Sequence, residues 1–588
     1  MTRSCFSKRG ALLLALFGCL LPGCSLFKSL SAEQCQKDAE CKQFGVDYTC
    51  SSDKVCVAPM ANTGGNAAMG GSGGTGGAAV AECAANADCI AAHNGAPFIC
   101  KSGACVSLTL ETHCPFVIAG TETAPTSYLT QTGKPIVIGA YVPISIDAPE
   151  AHPYTLNYRF ALEEFMSGSL GGPGSPHRPI AIVLCQSSQP DLKASIGHLV
   201  TTLDVPGILA TLPSTDLATA FDDVTATGHK VFLLGPFEAD TSLATADDMG
   251  LMWHMLGPTT DLIPTYAPLM AQAEKYVLAH QNVNGVVKVA VVNSDLSYSQ
   301  DMAAALPSAV QINGSALNST ANKPNFQRYQ VGVTDPATVD VSGVVNKLGP
   351  RGTADIIVSL GGPEFINGIM PQIQAARGAS SSDSPFYILS PNNAFAPQLS
   401  STQYFAGANM SFTNVLMAGV NYASVVDDSL YQSYLGAIQA RFPGVMGLES
   451  RENMYDVAYY MFYALSVASF SGVETFDGAD VAEGMKHLVK LGSSIKVTVG
   501  PGTTGDMVAT VLLALRQGGD VELTGTLGPP EFNLVTGARK SQGSVWCVTK
   551  KLPDPPFVKF DALRLQPPDN TSLALAAGDS FCFPGFVP

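Results

Sequence analysis

The hydrophobic pattern of the chain is one of short apolar runs separated by amphipathic stretches, the signature of strands alternating with helices. The segment from Val205 to Asp240 shows it most completely. Val205–Leu209 has the length and composition of a buried strand, and Ser214 stands where a helix begins, with a hydroxyl able to cap free N–H groups. Asp216 suits the first turn, and Leu217, Phe221 and Val224 follow at helical spacing. A second apolar run, Lys230–Leu234, leads into the loop Gly235-Pro236-Phe237-Glu238. Strand, polar loop, helix and strand make a βαβ unit, whose loops lie at the carboxyl edge of a parallel sheet. Open α/β sheets bind ligands at that edge.

The same alternation extends along most of the chain. Ile136–Val142 is the first expected strand of the main domain, which begins near Lys134, and its loop runs from Pro143 to Pro153. A helix carrying Leu156, Phe160 and Phe165 follows, then the strand Ile180–Cys185 and a helix with Leu192, Ile196, Leu199 and Val200. After Gly257-Pro258 a second series starts with a helix over Tyr266–Leu278 and a strand over Val286–Val292, ending in the loop Asn293–Tyr298. Two more strands, Asp355–Leu360 and Pro385–Leu389, run into the loops Gly361-Gly362-Pro363-Glu364 and Ser390–Phe395. Two successive doubly wound series predict an α/β protein of two lobes. Trp253, His254 and the Tyr455–Tyr463 aromatics are expected in the core. Past Lys551 the chain is proline-rich, and residues 552–588 are expected to run extended over the surface.

The first 23 residues read differently. Arg3, Lys8 and Arg9 precede an apolar run, Ala11–Leu21, too short to span a bilayer but suited to a signal peptide. Leu21-Pro22-Gly23-Cys24 resembles a bacterial lipobox, which makes Cys24 the expected lipidation site and the protein anchored to a membrane rather than spanning it. Ser25 favours the outer membrane over the inner under the enteric sorting rule. An exported chain accounts for the cysteines. Cys35, Cys41, Cys50 and Cys56 form one group, and Cys83, Cys89, Cys100 and Cys105 a second, with the related centres CQKDAEC and CAANADC. The two groups predict a duplicated pair of disulfide-rich modules, 24–60 and 81–115, because segments this short bury too little apolar surface to fold unaided. Connectivity is not readable from spacing. Cys547 and Cys582 are expected to pair across the tail, leaving Cys114 and Cys185 as a further pair or as free thiols.

The glycine-rich tract at 61–80 is a flexible linker; its formal Gly-x-Ser-x-Gly and Gly-x-Gly-x-x-Gly matches lack the strand and helix that either motif needs. The nine histidines show no metal-ligand spacing, and there is no Walker loop or placed Ser/His/Asp set, so no metal, no cofactor and no enzyme activity are expected. The formal charge of −16 falls by three, to −19, once Arg3, Lys8 and Arg9 leave with the leader. Such a surface repels nucleic acid.

The order of these pieces is a resemblance. IVIGAYVPIS, PSTDLATAFDDV, VAVVNSDLSYSQDM, ENMYDVAYYMFYAL and TGTLGPPEFNLVTGAR are similar, in this order, to segments of type I periplasmic solute-binding proteins such as the leucine/isoleucine/valine-binding protein. The resemblance covers about 134–551 and implies two lobes joined by a three-segment hinge, with crossings near Gly257, Ala418 and Gly528. Lobe 1 would comprise about 134–257 and 419–528, and lobe 2 about 258–418 and 529–551. It implies a small-molecule ligand held by Ser214 and Thr215 at a helix N-terminus, by Phe237 and Glu238, and by Tyr298, Glu364 and Asn392 from the second lobe. The acid that usually meets an amino group is replaced by Ser390-Pro391-Asn392, so a carboxylate or other polar metabolite competes with an amino acid as ligand. The implied partner is an ABC-type permease, or a sensor with the disulfide modules as its contact units.

Overall fold

A computed structural model describes residues 49–50, 56–57, 81–131, 134–142, 149–169, 178–187, 192–238, 240–281, 283–333, 339–377, 384–394, 397–400, 415–422, 428–445, 448, 451–470, 475–500, 505–541, 543–549, 557–565 and 572–575. The signal peptide, Cys24, Cys35, Cys41, the glycine-rich linker and Cys582 lie outside them. The chain divides into two units, Met1–Val80 and Ala81–Pro588. In the first, Thr49–Cys50 pairs antiparallel with Cys56–Val57.

Lobe 1 is built on a six-stranded sheet: β1 (Phe116–Ile118), β2 (Ile136–Val142), β3 (Ile180–Gln186), β4 (Gly207–Ala210), β5 (Phe232–Glu238) and β6 (Met252–Leu256), in the order β6-β5-β4-β2-β3-β1. All neighbours are parallel except β1, which runs antiparallel to β3. β2 and β3 are buried at every position, as continuous apolar runs must be when helices cover both faces of a sheet. On one face lie α1 (Pro153–Ser169) and α2 (Ser214–Ala226) lies on the other, with Leu217, Ala220 and Val224 turned inward. The lobe begins before Lys134. β1 follows the second disulfide module directly, and Leu108, Ile90, Ile99 and Val106 of that module join the lobe-1 core. Its bridges are Cys83–Cys100 and Cys89–Cys105, and a third, Cys114–Cys185, joins the approach to β1 to β3.

Lobe 2 carries an eight-stranded sheet: β7 (Val289–Ser294), β8 (Phe326–Val331), β9 (Ile356–Ser359), β10 (Phe386–Leu389), β11 (Met417–Tyr422), β12 (Gly543–Thr549), β13 (Phe557–Leu565) and β14 (Leu573–Leu575). The order is β8-β7-β9-β10-β11-β12-β13-β14, parallel as far as β11 and antiparallel beyond it. Helices α3 (Ile263–His280) and α4 (Ser297–Ala309) pack on it. Two expectations change here. The proline-rich tail is not a surface strap over its whole length: Phe557–Leu565 and Leu573–Leu575 extend the sheet, because the alternation around Leu563 and Leu573 places those side chains in the lobe-2 core. The second crossing comes after Tyr422 rather than near Ala418, since β11 pairs along its length with β12. Cys547, in β12, is disulfide-bonded.

After lobe 2 the chain returns to lobe 1 in a helix over Asp428–Arg441, with Tyr434 and Ile438 in the lobe-1 core, and then in α5 (Glu452–Ser469), in which every residue from Met454 to Ser466 is buried. A helix apolar on all sides belongs inside. It lies between the sheet and α1, with Phe160 against Tyr455 at 5.5 Å and Phe165 against Tyr463 at 5.1 Å. Among the buried residues of this helix is one carboxylate, Asp456, fully buried. Its Oδ1 accepts the N–H and hydroxyl of Thr526 at 2.9 and 3.0 Å, and Oδ2 accepts the N–H of Leu527 at 3.0 Å. Gly525 beside it leaves no room for a Cβ, which would overlap the carboxylate. Burial pushes this carboxyl up to about 6, against the pull of those three bonds and of Arg539.

The segment after that turn stays with lobe 1 longer than expected, because Phe532 packs on Trp253 at 5.3 Å and Ala538 bridges to His254. The third crossing therefore falls near Ser541 rather than Gly528. The three crossings lie side by side: Gly257 donates its N–H to Ser541 Oγ at 2.7 Å, and the Tyr422 hydroxyl donates to Gly257 O at 3.3 Å. The Ser541 N–H donates to Asp261 Oδ2 at 3.1 Å. A Cβ at Gly257 would lie 2.6 Å from Asp261 Oδ2, so only glycine fits. Replacing Asp456 with alanine removes three accepted bonds and leaves the turn's donors buried. We expect Asp456→Ala to lose on the order of 3 kcal/mol in urea denaturation; a loss below about 0.5 kcal/mol would show the carboxylate to be dispensable.

Candidate interlobe binding site

The loops at the carboxyl ends of the two sheets meet. On the lobe-1 side, α2 starts one residue later than the expected cap: Pro213 is the N-cap and Ser214 the first helical residue. The buried Ser214 hydroxyl accepts the N–H of Asp240 at 3.0 Å, so it fastens the next loop down. Thr215 is exposed, and its carbonyl accepts the Thr219 hydroxyl at 3.0 Å. Phe237 is half-buried at the end of β5, edge-on to Tyr154 at 6.2 Å. Glu238 ends β5, and its side chain lies outside the described residues.

Asp240 is the group that joins the lobes. Its Oδ1 accepts the Ser242 hydroxyl at 2.7 Å and the Leu243 N–H at 2.8 Å, and Ser297, at the start of α4, bonds to it from lobe 2. Burial opposes its charge, but the bonds from Ser297, Leu243 and Ser242 and the neighbouring His254 outweigh it and hold the carboxyl below its ordinary value. Next to it, the Thr241 N–H donates to Asp301 Oδ2 of α4 at 2.8 Å.

On the lobe-2 side, Tyr298 and Glu364 converge on one loop. A Cβ at Gly362 would lie 3.0 Å from Glu364 Oε2 and 4.0 Å from the Tyr298 hydroxyl. Glu364 Oε1 accepts the Gly362 N–H at 2.7 Å. Burial, and to a lesser extent Asp295, raises its pKa against the pull of that bond. Tyr298 O accepts the Thr259 hydroxyl at 3.3 Å, next to the first hinge segment. Asn392 is half-exposed in the turn Pro391–Asn393 of the adjacent loop. Its buried neighbour Asn393 donates to Ser390 Oγ at 2.8 Å and Gly361 O at 3.2 Å, tying the two loops together.

Sequence reasoning missed five residues. Asp240 was legible only as the start of an Asp-Thr-Ser turn. Tyr154 and His152 form an edge-on pair at 5.0 Å, and the Arg451 guanidinium lies 4.8 Å over the Tyr154 ring. Burial and Arg451 together lower the His152 pKa. Pro236 O accepts the Asn453 amide at 2.9 Å, which fixes the β5 loop to the start of α5. Among the described residues, Cys83, Cys89 and Cys105 are the one group with metal-ligand geometry, and all three are in disulfides.

No family model and no curated protein matches this chain. Solved structures do. LivJ, the branched-chain amino acid transporter substrate-binding protein of Streptococcus pneumoniae, solved with isoleucine, is 13% identical, with 73% of this chain and 100% of that one covered and a TM-score of 0.46. The leucine-binding protein LivK of Thermotoga maritima is 14% identical, with coverage of 73% and 98% and a TM-score of 0.46. A solute-binding protein of an R. palustris ABC transporter, solved with benzoate, is 11% identical, with coverage of 72% and 95% and a TM-score of 0.45. Type I periplasmic binding proteins are what this chain is similar to in structure.

His254 sits behind the Asp240 loop, 1% exposed, and its Nε2 has no hydrogen-bond partner among the described residues. Burial pushes its pKa down to about 4, only partly countered by Asp240. Between pH 6.5 and about 4 the unfolded chain therefore binds the proton that the folded chain refuses, and stability falls as pH falls through that window. Asp456, raised to about 6, contributes in the opposite sense, its stabilisation being lost as pH rises. Comparison with His254→Leu cancels the Asp456 contribution. The stability of wild type relative to this variant should fall by about 3 kcal/mol between pH 7 and pH 4. A difference independent of pH in paired denaturant titrations would show that His254 carries no depressed pKa.

Proposed function

We propose that this chain is an extracytoplasmic binding protein that captures a small polar solute, an amino acid or a carboxylate, between two lobes that close on it. The observation that carries this reading is the meeting of both sheets' carboxyl-end loops at Asp240 and Ser297, with a three-segment hinge behind them. On this reading Ser214, Thr215, Phe237 and Glu238 would serve the ligand from lobe 1, and Tyr298, Glu364 and Asn392 from lobe 2. α/β lobes that face each other in this way bind by hinge closure. The structural neighbours' names, substrate-binding proteins of ABC transporters solved with amino acids or benzoates, support an importer as the destination of the solute. No helix among the described residues is long and apolar enough to cross a membrane. The lipobox-like run places the attachment at Cys24.

Thermal unfolding with leucine, isoleucine, benzoate and 4-hydroxybenzoate tests the binding reading. A true ligand at 100 times its Kd adds about 2.7 kcal/mol of stability. With that ligand, Tyr298→Ala should raise Kd about tenfold or more in calorimetry, through lost cover from lobe 2. Ser214→Ala strands the buried Asp240 N–H and should cost about 1–2 kcal/mol of stability without any ligand present. If Tyr298→Ala binds like wild type, the cleft assignment is wrong.

The anchor is tested separately by detergent partition of protein expressed in a bacterium. Wild type should enter the detergent phase and Cys24→Ala should stay in the aqueous one. Equal partition of the two disproves lipidation at this residue.

A further inference from the structure

The disulfide module that precedes β1 packs on lobe 1 through Ile90, Ile99, Val106 and Leu108, and leaves a gap beside that contact. It stands over the amino ends of the strands, at the sheet edge opposite the cleft, and borders an open cavity of about 740 Å³. Hydrogen bonds from Asn86 and Lys101 hold it there, and Asn86 also braces the module from within. The Asn86 amide donates to Leu129 O at 3.0 Å while its Oδ1 accepts the Cys100 N–H at 2.8 Å, and Lys101 Nζ donates to Thr202 O at 2.8 Å. Cys83–Cys100 and Cys89–Cys105 keep this roof rigid. A concave surface with apolar walls and a few placed polar groups is the form that small-molecule sites take.

The lining is amphipathic, and its charge runs against that of the chain. Acidic residues outnumber basic ones 48 to 32 over the whole sequence, yet this cavity presents Lys101, Lys134 and Arg178 against the single carboxylate of Asp204. Arg178 is held in place, its Nε donating to Lys134 O at 2.7 Å and its guanidinium lying 5.8 Å over the Phe476 ring. Ile99 from the roof and Ile136 from the start of β2 supply apolar surface nearby. We propose that this cavity is a second binding site, for an anionic amphiphile. Its apolar or aromatic body lies against Ile99 and Phe476, and its single anionic head group lies among Lys101, Lys134 and Arg178. Guanidinium and ammonium donors favour carboxylate, sulfonate or phosphate oxygens, and the apolar walls favour a body that leaves water. The site is independent of the cleft, from which the lobe-1 sheet separates it.

The probe is 8-anilinonaphthalene-1-sulfonate, an aromatic body with one sulfonate, titrated by fluorescence into the oxidised full-length protein. One saturable site is expected. Lys101→Glu and Arg178→Glu should each weaken it by about tenfold or more, the effect of losing one charge-assisted contact. Because both side chains also hold backbone carbonyls, Ala87→Trp is the fold-neutral control. Ala87 is exposed on the module helix and lines the cavity, so the indole should block the probe while leaving thermal unfolding unchanged. Tyr298→Ala should bind the probe like wild type. Non-saturable binding, binding unchanged in Ala87→Trp, or binding lost in Tyr298→Ala would overturn the proposal, the last by placing the probe in the cleft.

Discussion

The carboxylate of Asp456 is the constraint on which the two-lobed arrangement depends. A charged group inside an otherwise apolar helix is costly unless every lone pair is used. Here the turn at Thr526 and Leu527 uses them, and that turn is where the chain prepares to leave lobe 1 for the last time. Arg539, itself buried, donates to Leu527 O and Pro529 O and closes the same turn from the other side. An apolar residue at 456 could fill the space and would leave the turn with no reason to face α5. The pair of buried ions thus selects one path for the chain between lobes.

Around that fixed point the stabilising burial is conventional. α5 is wrapped by the sheet, α1 and α6 (Gly505–Arg516), and three of its tyrosines keep their hydroxyls bonded inside the core, while the buried Tyr463 hydroxyl has no partner among the described residues. Tyr455 and Tyr459 both donate to Glu164, whose pKa is raised chiefly by burial, and Tyr460 donates to Leu523 O. Aromatic residues with such polar ends bring large apolar area inward without stranding a donor.

The parallel strands were legible because burial on both faces writes them as unbroken apolar runs, and β2, β3, β4, β9 and β10 all read that way. The antiparallel additions were not. β1 has three residues and pairs with a strand more than sixty positions away, and β13 alternates Lys559, Asp561 and Arg564 with apolar residues in a stretch rich in proline. Edge and antiparallel strands are set by partners far off in sequence, which no local window contains. The site divides in the same way. Ser214 and Tyr298 were visible because each opens a helix after a strand. Asp240, Arg451 and Tyr154 matter through contacts between loops that come from different parts of the chain. The Ser214 hydroxyl looked like a helix cap, and an N–H from twenty-six residues further on claimed it instead.

Gly257, Tyr422 and Ser541 stand side by side where the chain passes between the lobes, tied to one another by hydrogen bonds. A single connection would leave the lobes free to turn and slide in any direction. Three parallel ties resist twisting and sliding, and leave bending across the row as the soft coordinate. Motion between the lobes is thereby reduced to nearly one degree of freedom. On the proposed reading, a solute in the cleft meets walls that approach along a fixed arc, so the shape it must fill is selected by the hinge before any side chain touches it.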